Sequence, residues 1–107
     1  MANLKDRENA FENKYAHDAE MQFKAEARRN KLLGLWAADL MGKSGDEADA
    51  YAKEVIKADF EEAGDEDVFR KVKADLEKAG AGISDTELRK KMDFLMVEAR
   101  GQIAEGV

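Results

Sequence analysis

Apolar residues recur at three- and four-residue steps in four stretches of the chain, and glycines separate the stretches. The second stretch offers Ala48, Tyr51, Ala52, Val55, Ile56 and Phe60. The third offers Val68, Phe69, Val72 and Leu76, and the fourth Leu88, Met92, Leu95, Ala99 and Ile103. That step is the period of a helix with one buried face. Gly42-Lys43-Ser44-Gly45, Gly64 and Gly80-Ala81-Gly82 punctuate the pattern, and Gly42, Gly64 and Gly80 sit where left-handed residues end helices. Helices are therefore predicted over residues 15–42, 46–63, 66–79 and 84–103. Ser84 and Glu87 have capping-box spacing, Ser44 or Asp46 can cap the second helix, and Asp65 the third. Val and Ile are few and no stretch alternates polar and apolar for long, so no sheet is expected. Stripes joined by short connections give an all-α, up-down four-helix bundle.

The first stretch is built differently. From Arg7 to Gly42 it has no Pro and its first glycine is Gly34, so it reads as one very long helix. Its C-terminal half carries Leu32, Leu33, Leu35, Trp36 and Leu40, enough to anchor a core. At about 100° per residue, Phe11, Tyr15, Ala19, Leu33, Trp36 and Leu40 share a side, but Glu26, Arg29 and Asn30 interrupt it. Core contacts are expected mainly at 32–41, with Phe23 an outlier. Residues 1–18 are left as an arm and 19–107 as the bundle. A free helix of the arm's length is marginal in water because nucleation is costly, so residues 1–14 are expected to be mobile in isolation.

Charge and composition narrow the function. The 107 residues suit one domain, with 18 basic and 24 acidic side chains and a net charge of −6. That disfavours nucleic acid and an anionic membrane surface. There is no Cys, which removes disulfides and thiol chemistry. The first residues lack a signal-peptide pattern, and no apolar run approaches the ~20 residues of a membrane span.

Candidate chemistry is sparse. His17 is the one histidine; with Glu20 it makes an i,i+3 pair but no di-metal motif, so no metal site is expected, and His17 reads as a surface residue between arm and bundle. Arg28, Arg29, Asn30 and Lys31 form a basic cluster, read either as a solvated face or as a contact for phosphate or for an acidic partner. Gly42-Lys43-Ser44 echoes a phosphate loop without its glycine-rich start or preceding strand and reads as a helix terminator. The acids Asp59, Glu61, Glu62, Asp65, Glu66 and Asp67 lack calcium-loop spacing. Ser44 and Ser84 are better explained as caps than as nucleophiles, so the chain does not read as an enzyme. In the arm, Phe11 and Tyr15 form an i,i+4 aromatic pair among Arg7, Glu8, Glu12, Lys14, His17 and Asp18. That segment reads either as a solvated terminus or as a helix that folds on a partner.

Two long segments carry a family resemblance: AFENKYAHDAE and RRNKLLGLWAA within residues 7–36. It continues through YAKEVIKADFEEAGDEDVFRKVKADL at 51–76 and the region Arg89–Met92. The chain resembles the zeta subunit of alpha-proteobacterial F-type ATP synthases, a family of ATPase inhibitors. The resemblance implies an inhibitor of the synthase that is carried by the bundle and acts through the arm. Its partners would be the alpha, beta and gamma subunits of the soluble head, and the arm would enter a catalytic alpha/beta interface near the rotor. It implies a cytoplasmic protein, held at the inner membrane only through the synthase, with no direct membrane contact and no required cofactor. Weak adenine-nucleotide binding, near Trp36, Tyr51 and Phe69, and an adaptor role with another partner are the alternatives.

Overall fold

The structure, a computed structural model, describes residues 4–60 and 65–106, with side chains from Ala19 onward. Four helices follow one another: α1 Leu4–Leu40, α2 Asp46–Ala58, α3 Glu66–Lys78 and α4 Asp85–Glu105. No strand forms among the described residues. The all-α bundle with a long first helix is thus observed, and α2 and α4 flank α1 along most of the body.

The ends follow from local chemistry. Gly42 turns left-handed (φ 79°), and the amides of Gly42 and Lys43 donate back to the carbonyls of Asp39 and Ala38, closing α1 as a Schellman cap. Gly80 does the same for α3. Ser84 caps α4 as expected: the Glu87 amide donates to its Oγ at 3.1 Å, and that hydroxyl donates to the Glu87 carboxylate. The other two caps differ from expectation. Gly45 occupies the cap position of α2, where neither Ser44 nor Asp46 bonds the first turn. Asp65 occupies that of α3 with no side-chain cap bond, because its carboxylate is engaged elsewhere. Gly64 and residues 61–63 lie outside the described residues.

The core joins Leu33, Ala37 and Ala38 of α1 to Tyr51 and Val55 of α2. It continues through Val68, Phe69, Val72 and Leu76 of α3 to Leu88, Met92 and Leu95 of α4. Each fully buried Leu or Val in this set contributes roughly 1.5–3 kcal/mol. The stripe of α3 is buried as the periodicity predicts, and so is that of α4 from Leu88 to Ala99, with Ile103 half-buried at its end. Two assignments shift. α2 ends at Ala58, so Phe60 is 68% exposed rather than in the core. On α1 the buried face runs through Ala25, Arg29, Leu33 and Ala37, each one turn after the last. Leu40 falls off that face and is exposed.

α1 and α2 cross where Gly34 meets Ala52. A Cβ built on Gly34 would lie 2.5 Å from the Ala52 Cα, a backbone atom that cannot swing away. Close approach, rather than backbone freedom, explains this glycine inside a helix. Gly34→Ala is therefore expected to destabilise the bundle by about 1–3 kcal/mol through overpacking, more than alanine's intrinsic helix preference of about 1 kcal/mol restores. Urea unfolding followed by circular dichroism reads this; a variant more stable than the parent would contradict it.

Candidate functional site

α1 is longer than anything it packs against. Its 37 residues span about 56 Å and the 21 residues of α4 about 32 Å, at 1.5 Å per residue. The two run antiparallel: the Lys91 ammonium lies over the Trp36 ring, and Arg28 donates to Gln102 at 2.8 Å. Met21 and Ala25 share a shallow hollow with Ile103, two residues before α4 ends at Glu105. α4 therefore offers nothing opposite α1 residues N-terminal to Met21, and Ala19 and Glu20 are already exposed. The helical backbone from Leu4 runs through residues 4–18 of the expected arm; residues 1–3 lie outside the described residues. The side chains of Arg7, Glu8, Phe11, Glu12, Lys14, Tyr15, His17 and Asp18 lie outside the described residues.

The root of this overhang is fixed by buried polar groups. Arg29 and Asn30 are each only 1% exposed. Arg29 donates from Nε to Asn30 Oδ1 at 2.7 Å and from Nη2 to Asp65 Oδ1 at 2.8 Å. The basic cluster is thus divided. Arg29 points into the body, which corrects both the solvated-face and the partner-contact readings for that residue. A guanidinium can be buried there because a carboxylate and an amide oxygen replace its water. Lys31 is exposed, and Arg28 is half-buried against α4. The sequence did hold a signal for Arg29: it lies one helical turn from both Ala25 and Leu33.

The acids also separate by environment. Asp65 accepts from Arg29, Glu66 accepts from Arg89 at 2.8 Å, and Asp67 pairs with Arg70. The Arg29 hydrogen bond holds the Asp65 carboxyl below its usual range; burial opposes it, and the Arg29 and Arg89 charges add to the lowering. Asp59, at the end of α2, is raised, chiefly by burial. Asn30 and Arg29 pull it down while Glu26 and Asp65 push it up. The Asn30 amide lies near enough to act on Asp59, yet its Nδ2 makes no hydrogen bond of ordinary geometry.

Trp36, Tyr51 and Phe69 all adjoin the core, each beside a different polar group. Tyr51 donates to Asp75 at 2.8 Å, Phe69 is buried under the Arg89 guanidinium, and Trp36 lies beside Lys91. Among the described residues no three His, Cys, Asp or Glu side chains gather as metal ligands would, and no helix is long and apolar enough to cross a membrane.

A small bundle with one helix overreaching it belongs to the class of helical interaction proteins. The chain is a member of the ATPase inhibitor subunit zeta family, whose match spans residues 1–102. A solved structure, determined by solution NMR, is 59% identical; the match covers 81% of this chain and 99% of that one, with a TM-score of 0.72. No curated protein matches significantly. The family is one of inhibitor subunits, for which catalysis is not expected, and its name implies an association with the ATP synthase.

Asp65→Ala leaves a buried guanidinium without its carboxylate and is expected to cost about 2–3 kcal/mol, below the figure for a fully buried pair because Asp65 is half-exposed. Arg29→Met leaves a carboxylate that can turn to water and one neutral amide oxygen, Asn30 Oδ1, without its donor, a smaller penalty than a buried unpaired charge, so its cost is smaller. A group lowered in the folded state stabilises above its unfolded range and loses that contribution as pH falls through its folded range. The Asp65→Ala deficit should accordingly shrink as pH drops below the usual carboxylate range. Denaturant unfolding at neutral and acid pH tests this; equal costs for both variants, or a deficit that grows in acid, would contradict it.

Proposed function

We propose that the chain inhibits the F-type ATP synthase by lodging the leading part of α1 in a catalytic alpha/beta interface of the soluble head, near the gamma rotor. The observation that carries this reading is the overhang: α1 continues past the end of α4 with nothing from that helix to cover it. The catalytic interfaces open and close as the rotor turns. A helix held by one of these states adds its binding free energy to that state, and the cycle stalls in proportion to the preference. Phe11 and Tyr15, one turn apart, would anchor in the interface, and Arg7, Glu8, Glu12, Lys14, His17 and Asp18 would set register at its margin. Ordering an arm costs about 2–5 kcal/mol, and a helix already begun by the body lowers the nucleation part of that cost.

Weak adenine-nucleotide binding is a second reading, with the site moved from Trp36 and Phe69 to a hollow lined by Tyr51, Lys43, Lys71 and Lys78. Glu54 and Asp75 also line it and pair with Lys71, so Lys43 and Lys78 are the cations that would face phosphates. ADP binding lost in Lys43→Ala, measured by calorimetry, would support it; binding unchanged in that variant would sink it.

Added to its own synthase, the full chain should suppress ATP hydrolysis, and the chain lacking residues 1–18 should not. Phe11→Ala with Tyr15→Ala should weaken inhibition at least tenfold, as for interface anchors, while leaving the unfolding midpoint unchanged. Equal inhibition by full and shortened chains would place the active element in the bundle.

A further inference from the structure

Two phenylalanines that the core leaves out lie against each other beside the root of the overhang. Phe23 of α1 and Phe60, two residues past the end of α2, have ring centroids 6.3 Å apart and are 57% and 68% exposed. Ala27 and Ile56 extend this apolar surface into a half-enclosed hollow. Single exposed apolar residues are ordinary, but a contiguous aromatic patch marks a surface that meets something.

The place of Phe23 on α1 ties the patch to the arm. Phe11, Tyr15, Ala19 and Phe23 follow at four-residue steps in a helix unbroken from Leu4 to Leu40, so these four positions form one row. Each step rises about 6 Å and turns about 40° round the axis. The row therefore advances about 18 Å from Phe11 to Phe23 and turns by about 120°. It arrives on the α2 side of the helix: Phe23 lies about three turns before Gly34 and within about 20° of its face, and Gly34 is where α2 touches α1. Elements that pack along such a row cross the helix obliquely. A partner seated on the arm and following this row reaches the Phe23–Phe60 pair next.

Charge narrows the partner. The charged groups lining the hollow are both acids, Glu26 of α1 and Asp59 at the end of α2. Lys24, beside Phe23 in sequence, holds its ammonium 3.0 Å from Glu20. Burial disfavours the Asp59 charge, and an approaching cation would favour it. A long basic side chain can lay its stem on aromatic rings and put its head at a carboxylate. We propose that the surface receiving the arm continues onto the body here, and that an apolar segment of the synthase head, with a lysine or arginine opposite Glu26 and Asp59, docks on Phe23 and Phe60. The identity of that partner rests on the inhibitor reading. Arm and body then grip one partner, and each hold raises the effective concentration of the other.

The test measures binding of the labelled full chain to its own solubilised synthase. Phe60→Ala should weaken binding about tenfold, as for an interface anchor, with the unfolding midpoint unchanged because Phe60 lies outside the core. Phe94→Ala removes a comparably exposed ring on α4, 56% exposed, and should leave binding unchanged. Glu26→Gln should weaken binding severalfold; tighter binding in that variant would mean an acidic partner surface and would overturn the proposal. Parental affinity in Phe60→Ala, equal losses in Phe60→Ala and Phe94→Ala, or no binding by the parent would overturn it too. ATP hydrolysis is read separately. A complex that depends on Phe60 yet hydrolyses ATP at full rate would sink the inhibitor reading alone, and inhibition with binding indifferent to Phe60 would sink this one alone.

Discussion

The Arg29 guanidinium joins the one helix that leaves the body to the first residues of α3. Its length, five donors and permanent charge leave it little choice of surroundings once it is placed on the core face of α1. It must find a carboxylate, and Asp65 provides one at 2.8 Å. It must also use its Nε, and the Asn30 oxygen receives it. Asp65 consequently gives up its ordinary role as a helix cap. Asn30, with its oxygen occupied, keeps its buried amide beside Asp59, where it favours the carboxylate charge that burial disfavours. The polar layer at this end of the molecule follows from one cation placed inward.

That layer sits where the two parts of α1 meet. C-terminal to it, α1 is held on two sides: Gly34 lets α2 approach to backbone contact at Ala52, and Leu33, Ala37 and Ala38 close on the core. N-terminal to it, among the described residues, only Ala25 is deeply buried before α4 runs out at Glu105. A hydrophobic seam would allow α1 to slide by a turn against its neighbours, since leucine replaces leucine with little loss. A buried ion pair has one register, because a slip would leave the guanidinium without its carboxylate. The structure therefore sets both the length and the direction of the segment that projects from the bundle.

Much of this was legible in the sequence, and the failures share a cause. The four stripes, the Ser84–Glu87 cap and the glycine stops at Gly42 and Gly80 are local signals, and each appears in the structure. What was missed required a partner distant in sequence. Arg29 and Asn30 looked like an interruption in an apolar stripe, because polarity alone places such residues outside; only the position of Asp65, 36 residues later, reverses that. Gly34 looked neutral, because a glycine's value at a helix crossing depends on what lies opposite. Phe60 looked like a continuation of the α2 stripe, because periodicity carries no information about where a helix stops when no cap or proline follows. For the expected arm, the composition is read from the residues and the overhang from the fold. Its side chains lie outside the described residues, and its role rests on family membership and geometry.

The central claim is that the body is complete without the segment it projects. The most direct measurement is the free energy of unfolding of residues 19–107 compared with that of the whole chain, by urea titration under identical conditions. The account predicts the same midpoint and the same slope for both. A loss of more than about 1 kcal/mol, a large part of a small domain's stability, would mean that residues 1–18 belong to the folded core, and the division between carrier and inhibitor would fall.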